Sequence, residues 1–235
     1  NAGYRWTAAV LNAACYGSAQ TRHRLVLVAV RGDITARLEL PAPTHTPLGR
    51  YFDYRSQSVR AYSGPDDDLL GITSTARRAD AALASRIGTR RALRAIPTFS
   101  DVTAGLPDLG SASAAKLGHE AWAHSGEMLR RMRDVPEGGQ LSTSRSYYAS
   151  AYARLHRRGL ARTLTTYFPN AGSGRFWHPT ENRALTVREA ARVQGVPDGF
   201  QFLNGPTLAN ATLLGNALDA HLAAATYASV RSALE

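Results

Sequence analysis

The apolar positions of the chain are most regular near its two ends. Close to the N-terminus, a continuous aliphatic and β-branched run extends from Arg24 to Val30 and is closed by Gly32 and Asp33. A short apolar run bounded by turn residues is typical of a strand that is buried on both faces. We therefore expect residues 1–33 to form a compact α/β unit around this buried strand.

The last sixty residues predict two helices. Thr186 and Glu189 have the spacing of a capping box, in which each side chain accepts a hydrogen bond from the backbone N–H of the other residue. This motif predicts a short helix from Val187 to about Gln194, ended by a glycine and a proline. After a turn, apolar residues at helical spacing predict a second helix from about Asn216 to Ser232.

Between these ends the periodicity weakens, and clusters of Pro, Gly, Ser and Thr interrupt the chain. Such clusters are typical of loops, so we expect a loop-rich region with short helices, among them Thr75–Ile87 and Ser113–Met132. The acidic cluster Asp66–Asp68 could bind a metal, but adjacent carboxylates point in different directions. We therefore expect a solvated loop there and predict no metal site.

Composition bounds the class of protein. The 235 residues are 44% apolar, which is enough to bury a core. There is no run of eighteen apolar residues and no secretion signal at the start, so we expect a soluble, cytoplasmic protein that does not enter a membrane. The single cysteine, Cys15, cannot form an internal disulfide, which agrees with a reducing compartment.

The charge of the chain indicates a polyanionic partner. Its formal net charge is +10 and its isoelectric point is near 10.3. Neutralising phosphates releases condensed counterions, so nucleic acid is the first partner to consider. Lys116 is the one lysine of the chain, and an arginine-rich, alanine-rich composition can also reflect codon usage.

Three stretches of the chain, residues 10–24, 183–200 and 214–218, contain motifs in an order that resembles a known family. The family is that of the DNA (cytosine-5) methyltransferases. Residues 10–24, with Tyr16, Gly17, Gln20, Arg22 and Arg24, resemble the family's Tyr-Gly-x-x-Gln-x-Arg-x-Arg block. Residues 183–200 are similar to the block that closes the family's target-recognition region. Residues 214–218 are similar to the final block, which returns to the cofactor pocket.

The resemblance implies an architecture for the whole chain. Residues 96–107, 162–166 and 175–179 are similar to segments of the family's recognition region. The implied fold class is α/β: the C-terminal portion of a Rossmann-like, S-adenosylmethionine-dependent methyltransferase with an inserted, loop-rich target-recognition domain. We expect residues 1–33 to end the catalytic domain, residues 34–182 to form the recognition domain, and residues 183–235 to return to the catalytic domain.

The family's N-terminal blocks have no counterpart in this sequence. The Gly-rich cofactor loop, the Pro-Cys nucleophile and the Glu-Asn-Val segment are not present, and Cys15 follows alanine rather than proline. We therefore expect Cys15 not to be the nucleophile. We also expect obligate association with an N-terminal methyltransferase half, as a separate subunit or as the missing part of the same polypeptide.

The resemblance also implies roles for individual residues. Arg24 is the candidate for contacting O2 of the reacting cytosine, where negative charge develops. Arg22 and Gln20 would orient the Arg24 side chain and the backbone of the flipped nucleotide. Alternation along an extended segment places these three side chains on one face. An isolated Arg-x-Arg would more often form surface ion pairs.

The resemblance implies further residues that bind the cofactor, contact the DNA or have a structural role. Gly215, Asn216 and Ala217 would open the last helix, whose N-terminus would receive the carboxylate of S-adenosylmethionine. The candidate DNA contacts, to bases or phosphates, are Arg162, Thr163, Thr165, Thr166 and Arg175. The residues with a structural role are Thr186, Arg188 and Glu189.

The implied function is methyl transfer to C5 of a flipped cytosine in a specific double-stranded DNA sequence, within restriction-modification or phage defence. Two alternatives stay open: a non-catalytic DNA-binding or regulatory module of the same fold, and a tRNA cytosine-5 methyltransferase. Arg22, Arg24 and Asn216 favour catalysis, because a pure binding module needs neither a flipped-base pocket nor a cofactor edge. The size of the recognition insert favours DNA.

Overall fold

The computed structural model describes residues 3–46, 50–53, 58–61, 94–141, 150–202 and 205–235. The predicted helix Thr75–Ile87 and the Asp66–Asp68 cluster lie outside these residues. The strands are β1 (Tyr4–Asn12), β2 (Gln20–Thr21), β3 (His23–Arg31), β4 (His45–Thr46), β5 (Arg50–Asp53), β6 (Ser58–Ala61), β7 (Arg94–Ala95) and β8 (Ala161–Arg162).

The α-helices are short except for the last one. They are α1 (Phe99–Thr103), α2 (Ala112–Leu117), α3 (Gly126–Arg133), α4 (Val187–Val193), α5 (Leu208–Asn216) and α6 (Ala220–Leu234). A 3₁₀ helix, Ala13–Tyr16, follows β1. The described chain is thus a mixed α/β structure, as expected from the sequence.

The predicted strand is present as β3, but it is not buried on both faces. It pairs antiparallel with β1 along its whole length, from Tyr4 opposite Arg31 to Asn12 opposite His23. One face of this hairpin is buried, whereas Leu25 on the other face is 70% exposed. The expectation of a strand buried on both faces is therefore wrong for the described chain, because only one face of the hairpin is covered there.

Small parallel ladders connect segments that are distant in sequence. Strand β2 pairs with β8, so that Gln20 lies opposite Ala161 and Thr21 lies opposite Arg162. Strand β4 pairs in the same way with β7. The β2–β8 ladder fixes residues 20–24, which we call the arginine block, beside residues 162–166, which we call the recognition segment.

The largest apolar core lies under α4 and α5. It contains residues of both helices together with side chains of the loop-rich region, namely Phe99, Leu155, Ala161, Leu164, Phe168 and Phe176. A second core, formed by Leu11, Ala13, Tyr16 and Leu222, joins the β1–β3 hairpin to α6. The C-terminal residues therefore pack on both the recognition segment and the N-terminal hairpin.

The structure confirms one predicted helix and corrects two others. Helix α4 ends at Val193 with Gln194 as its C-cap, as the sequence indicates. The predicted helix Asn216–Ser232 is present as α6, but it begins at Ala220 because Asp219 is its N-cap. The separate helix α5, capped by Thr207, was not predicted. The predicted helix Ser113–Met132 is divided into α2 and α3.

Candidate functional site

Arg22 joins three segments of the chain at one point. Its side chain is fully buried, with 0% exposure. Nη1 donates to the carbonyl of Leu164 at 3.2 Å, and Nη2 donates to the carbonyls of Gly215 and Ala217, both at 2.8 Å. The arginine block, the recognition segment and residues 215–219, which we call the helix junction, therefore meet at this guanidinium.

Gln20 makes a second connection between the same segments. Its side chain is also fully buried. Nε2 donates to Oδ2 of Asp219 at 3.2 Å, and Oε1 accepts from the backbone N–H of Leu164 at 3.3 Å. Leu164 is thus held through its carbonyl by Arg22 and through its N–H by Gln20.

Arg24 lies at the start of β3, opposite Leu11 of β1. It is half-buried, and its Nη1 donates to the carbonyl of His23 at 2.8 Å. Burial lowers the pKa of Arg22 to about 10, and the positive charge of Arg24 contributes to this lowering, whereas Asp219 opposes it. The two arginines are therefore electrostatic neighbours.

Asp219 and Ser18 belong to this site, although sequence reasoning did not assign them to it. Both are fully buried. Oδ2 of Asp219 lies 2.6 Å from the Ser18 hydroxyl, while Oδ1 accepts from the backbone N–H groups of His221 at 3.1 Å and Leu222 at 3.2 Å. An Asp directly before an alanine-rich helix is an N-cap signal, which could have identified this position.

The three candidate cofactor residues lie at the end of a helix rather than at its beginning. Gly215 and Asn216 close α5, and Ala217 is its C-cap. The N-terminus of the following helix is already capped by Asp219. The predicted position of Asn216 at a helix N-terminus is therefore wrong, because this turn ends a helix and its helical N–H groups do not point outward. A contact of Asn216 with the cofactor stays a prediction.

Gly215 is required by close packing. A Cβ placed there would lie 2.4 Å from the backbone N of Thr166 and 2.6 Å from the carbonyl carbon of Thr165. The last turn of α5 therefore contacts the backbone of the recognition segment directly. Asn216, next to it, is exposed.

The recognition segment presents its side chains in two directions. Arg162 and Thr165 are exposed. Thr163 points inward, and its hydroxyl donates to the carbonyl of Thr21 at 2.8 Å. Thr166 is half-buried against the last turn of α5. Arg162 and Thr165 are thus the two candidates of this segment with exposed side chains.

Arg175 is buried, which argues against its predicted contact with DNA. It is 5% exposed, and its Nη1 donates to the carbonyls of Gly138, Gly139 and Arg154 at 2.8–3.0 Å. In a loop-rich region, backbone carbonyls lack helix or sheet partners, and a guanidinium can satisfy several of them at once. Arg175 therefore stabilises the loops from inside.

The residues predicted to be structural brace α4. Thr186 and Glu189 form both halves of the capping box, with N···O distances of 3.1 and 2.8 Å. Arg188 is buried and donates to the carbonyls of Leu117 at 2.6 Å and Phe200 at 2.7 Å. The contact with Leu117 links α4 to the loop-rich region.

Buried ionisable groups surround this helix. Burial would raise the pKa of Glu189, but hydrogen bonds and the charge of Arg183 lower it overall. Burial lowers the pKa of His178 to about 4, against the attraction of Glu189 and Glu181. At neutral pH, Glu189 is therefore ionised and His178 is neutral.

Neither a membrane-spanning helix nor a metal-binding cluster occurs in the described part of the chain. Among those residues, no helix is both long and apolar enough to cross a bilayer. The same residues contain no cluster of three or more His, Cys, Asp or Glu side chains placed to hold a metal ion.

The chain is similar to DNA methyltransferases along nearly its whole length. The family model of the C-5 cytosine-specific DNA methylases matches residues 1–231. The chain is 28% identical to the type II methylase M.HgiDII of Herpetosiphon aurantiacus, over 99% of this chain and 57% of that protein. It is also 28% identical to the type II methyltransferase M.NgoFVII of Neisseria gonorrhoeae, over 93% of this chain and 47% of that protein.

A solved structure has a similar fold. It is described as a DNA modification methyltransferase encoded within a prophage of E. coli, and it matches 99% of this chain with a TM-score of 0.59 and 17% sequence identity. The match covers 61% of that chain. The chain thus spans about half the length of the curated relatives named above.

Proposed function

The chain belongs to the C-5 cytosine-specific DNA methylase family, and we propose that it is the DNA-facing, C-terminal part of a DNA (cytosine-5) methyltransferase. Its activity, completed by an N-terminal half, is methyl transfer from S-adenosylmethionine to C5 of a flipped cytosine in duplex DNA. The observation that carries the proposal is the set of hydrogen bonds made by the buried Arg22 guanidinium. It brings together the arginine block, the recognition segment and the helix junction, three segments that the family's chemistry requires in one place.

The two arginines of the block have different roles in this proposal. Arg22 directs its donors to three backbone carbonyls, so it positions the surrounding segments and does not contact the base. Arg24 is half-buried beside it and supplies a fixed cation. When a thiolate adds to C6 of cytosine, negative charge develops on the ring and on O2, and a preorganised cation stabilises that charge.

The residues at the helix junction fit one edge of a cofactor pocket. Asn216 is exposed, and so are two apolar side chains close to it in the sequence, Leu213 and Leu218, a combination that suits an amphipathic ligand. The carbonyls of Gly215 and Ala217 are occupied by Arg22, so the Asn216 amide is the polar group of this edge that would bind the cofactor. S-adenosylmethionine supplies the electrophilic methyl group on its sulfonium.

The recognition segment would contact the DNA beside the flipped base. A base inside the duplex cannot present its ring faces to an enzyme, so it must leave the stack. Arg162 and Thr165 are exposed within a few residues of Leu164, the residue held by Gln20 and Arg22. The net charge of +10 supports binding to the phosphate backbone.

The N-terminal half would cover the exposed face of the β1–β3 hairpin. On this face Trp6 is 66% exposed, Leu25 is 70% exposed and Leu27 is 58% exposed. A contiguous apolar surface of this kind marks an interaction site. Cys15 packs against the Leu11 and Leu222 core on the covered side, so we place the nucleophilic cysteine on the N-terminal half.

The test is transfer of labelled methyl groups to duplex DNA, by the chain alone and after addition of the N-terminal half. We expect label in 5-methylcytosine only with both halves present. Duplex binding without methyl transfer by the complete protein would support the non-catalytic module instead. Transfer to tRNA in preference to duplex DNA would replace the substrate in the proposal.

A further inference from the structure

We propose that Asp219 is a positioning residue for methyl transfer, and that its carboxylate fixes the orientation of Gln20 and thereby the register of the arginine block against the recognition segment. This inference rests on the function proposed above. It concerns a side chain that does not touch the reacting atoms and acts through Gln20.

Helix capping alone does not account for the carboxylate of Asp219. Capping α6 uses only Oδ1, which accepts the N–H groups of His221 and Leu222. Ser, Thr or Asn would cap as well without a buried charge. Burying a carboxylate is costly unless its oxygens are hydrogen-bonded, and Asp219 is 0% exposed. The second oxygen, Oδ2, therefore needs its own explanation.

Oδ2 determines which way the amide of Gln20 points. A carboxylate oxygen accepts hydrogen bonds and cannot donate, so Nε2 of Gln20 must face it at 3.2 Å. Oε1 of Gln20 is then directed to the N–H of Leu164, at 3.3 Å. Two residues further along, Arg22 binds the carbonyl of the same Leu164.

The peptide groups on both sides of Leu164 are thus held by alternate side chains of the arginine block. A reversed Gln20 amide would direct a donor at the Leu164 N–H and break this arrangement. Because Arg24 follows Arg22 by two residues, its position relative to the recognition segment depends on the same register. Misplacing a catalytic cation by about 1 Å can lower a rate about a hundredfold.

A reciprocal exchange of donor and acceptor tests this coupling. Asp219→Asn keeps the cap but directs an amide donor at the Gln20 donor. Ser18 can adapt to this change, because its hydroxyl can donate to the Val193 carbonyl, 2.8 Å away, while accepting from the introduced amide. Gln20→Glu alone places two carboxylates together. The double variant restores a donor facing an acceptor, and its new carboxylate still accepts from Leu164.

In the complete enzyme we expect each single variant to lower kcat by at least about tenfold, with the KM values for DNA and cofactor little changed. We expect the double variant to recover kcat to within about threefold of the wild type. The matched control is Ser111→Ala, which removes the N-cap of α2, a helix that is not among the three segments joined by Arg22. It should lower the melting temperature but leave kcat unchanged.

Hydrogen exchange at the Leu164 amide gives a readout that does not need activity. Both single variants should accelerate it by at least about tenfold, and the double variant should restore protection. If the wild-type protein transfers no methyl group but this exchange pattern holds, the proposed function fails while the Asp219–Gln20–Leu164 linkage stands. Unchanged Leu164 exchange in Asp219→Asn, or a double variant no better than the singles in kcat, overturns the inference.

Discussion

At the scale of single residues, buried arginines bind backbone carbonyls more than carboxylates. Arg22 contacts three carbonyls, and Arg154 is 3% exposed and donates to the carbonyls of Val135, His178 and Glu181 at 2.6–2.8 Å. Each of these guanidinium groups satisfies carbonyls from segments that are distant in sequence. Part of the arginine content that indicates nucleic acid from composition therefore stabilises the interior of the protein.

Replacing Gly215 tests the contact between α5 and the recognition segment. In a helix, Gly→Ala ordinarily stabilises by up to about 1 kcal/mol. Here the added Cβ would meet the backbone of Thr165 and Thr166 at 2.4–2.6 Å, so we expect Gly215→Ala to destabilise by about 1–3 kcal/mol. Urea unfolding of the complete protein measures the difference.

The matched control is Gly126→Ala in α3, where an added Cβ meets no atom within 4 Å. We expect this substitution to be neutral or slightly stabilising. A Gly215→Ala variant that is as stable as the control would contradict the close contact between α5 and the recognition segment.

Sequence alone identified the arginine block but not the residues that hold it. Gln20, Arg22 and Arg24 share a spacing that resembles a family motif, so they can be named without the structure. Ser18 and Asp219 are 201 positions apart in the sequence, and only folding brings them together. Arg175 is a misleading DNA candidate because a positive charge in a loop region does not reveal whether it points inward.

At the scale of elements, the sequence predicts a helix that begins with a local capping motif, but it does not predict all of the helix bounds. The capping box at Thr186 and Glu189 depends on residues three apart, and α4 forms where it predicts. Helix α5 was not predicted, and α6 begins at Ala220 rather than at the predicted Asn216. The N-caps Thr207 and Asp219, both polar residues directly before helical patterns, mark the two true starts.

We expect the stability of the protein to fall in acid, because a neutral histidine is buried beside α4. His178 accepts hydrogen bonds at Nδ1 from the backbone N–H groups of Thr180 at 3.3 Å and Glu181 at 3.1 Å, so it is neutral when folded. Burial lowers its pKa to about 4, below the value of about 6.5 for an unfolded chain. Its contribution to stability is complete above pH about 6.5 and is lost as the pH falls towards about 4.

The substitution His178→Asn keeps an acceptor for these N–H groups but cannot titrate. We expect it to reduce the loss of unfolding free energy between pH 7 and pH 4 by about 3 kcal/mol. Burial also lowers the pKa of His119 and His124, so some acid sensitivity should remain. Parallel curves of stability against pH for variant and wild type would show that His178 does not contribute.

At the scale of the whole molecule, the β1–β3 hairpin is covered on one side only within the described chain. The aliphatic run at Arg24–Val30 predicts a strand. The order of apolar residues in the sequence does not identify which segments pack on each face of that strand. The fold places Leu11, Val28 and Val30 against the interior and leaves Leu25 exposed. A second layer from the N-terminal half would make the strand buried on both faces, as its sequence suggests.

Association of the two separately expressed halves tests this surface. We expect Leu25→Asp to weaken binding of the N-terminal half at least about tenfold, because the complex would bury an unpaired carboxylate. Leu25 is 70% exposed in this chain, so the substitution should leave the melting temperature of the chain itself nearly unchanged. Titration by analytical ultracentrifugation gives the dissociation constant.

The control for this experiment is Tyr167→Ser, which removes another exposed apolar side chain, beside the recognition segment. Tyr167 is 60% exposed, and it lies outside the hairpin. Its replacement should leave the affinity between the halves unchanged. Equal affinities for Leu25→Asp and wild type would place the interface elsewhere.

In the proposed function, Arg24 stabilises the negative charge that develops on an extruded cytosine. The most direct measurement is single-turnover methyl transfer by the complete enzyme carrying Arg24→Ala, with duplex affinity measured in parallel. We predict that the methyl-transfer rate falls at least about a hundredfold while the dissociation constant for DNA changes by less than about threefold. A rate close to that of the wild type would remove Arg24 from the chemistry and contradict the claim.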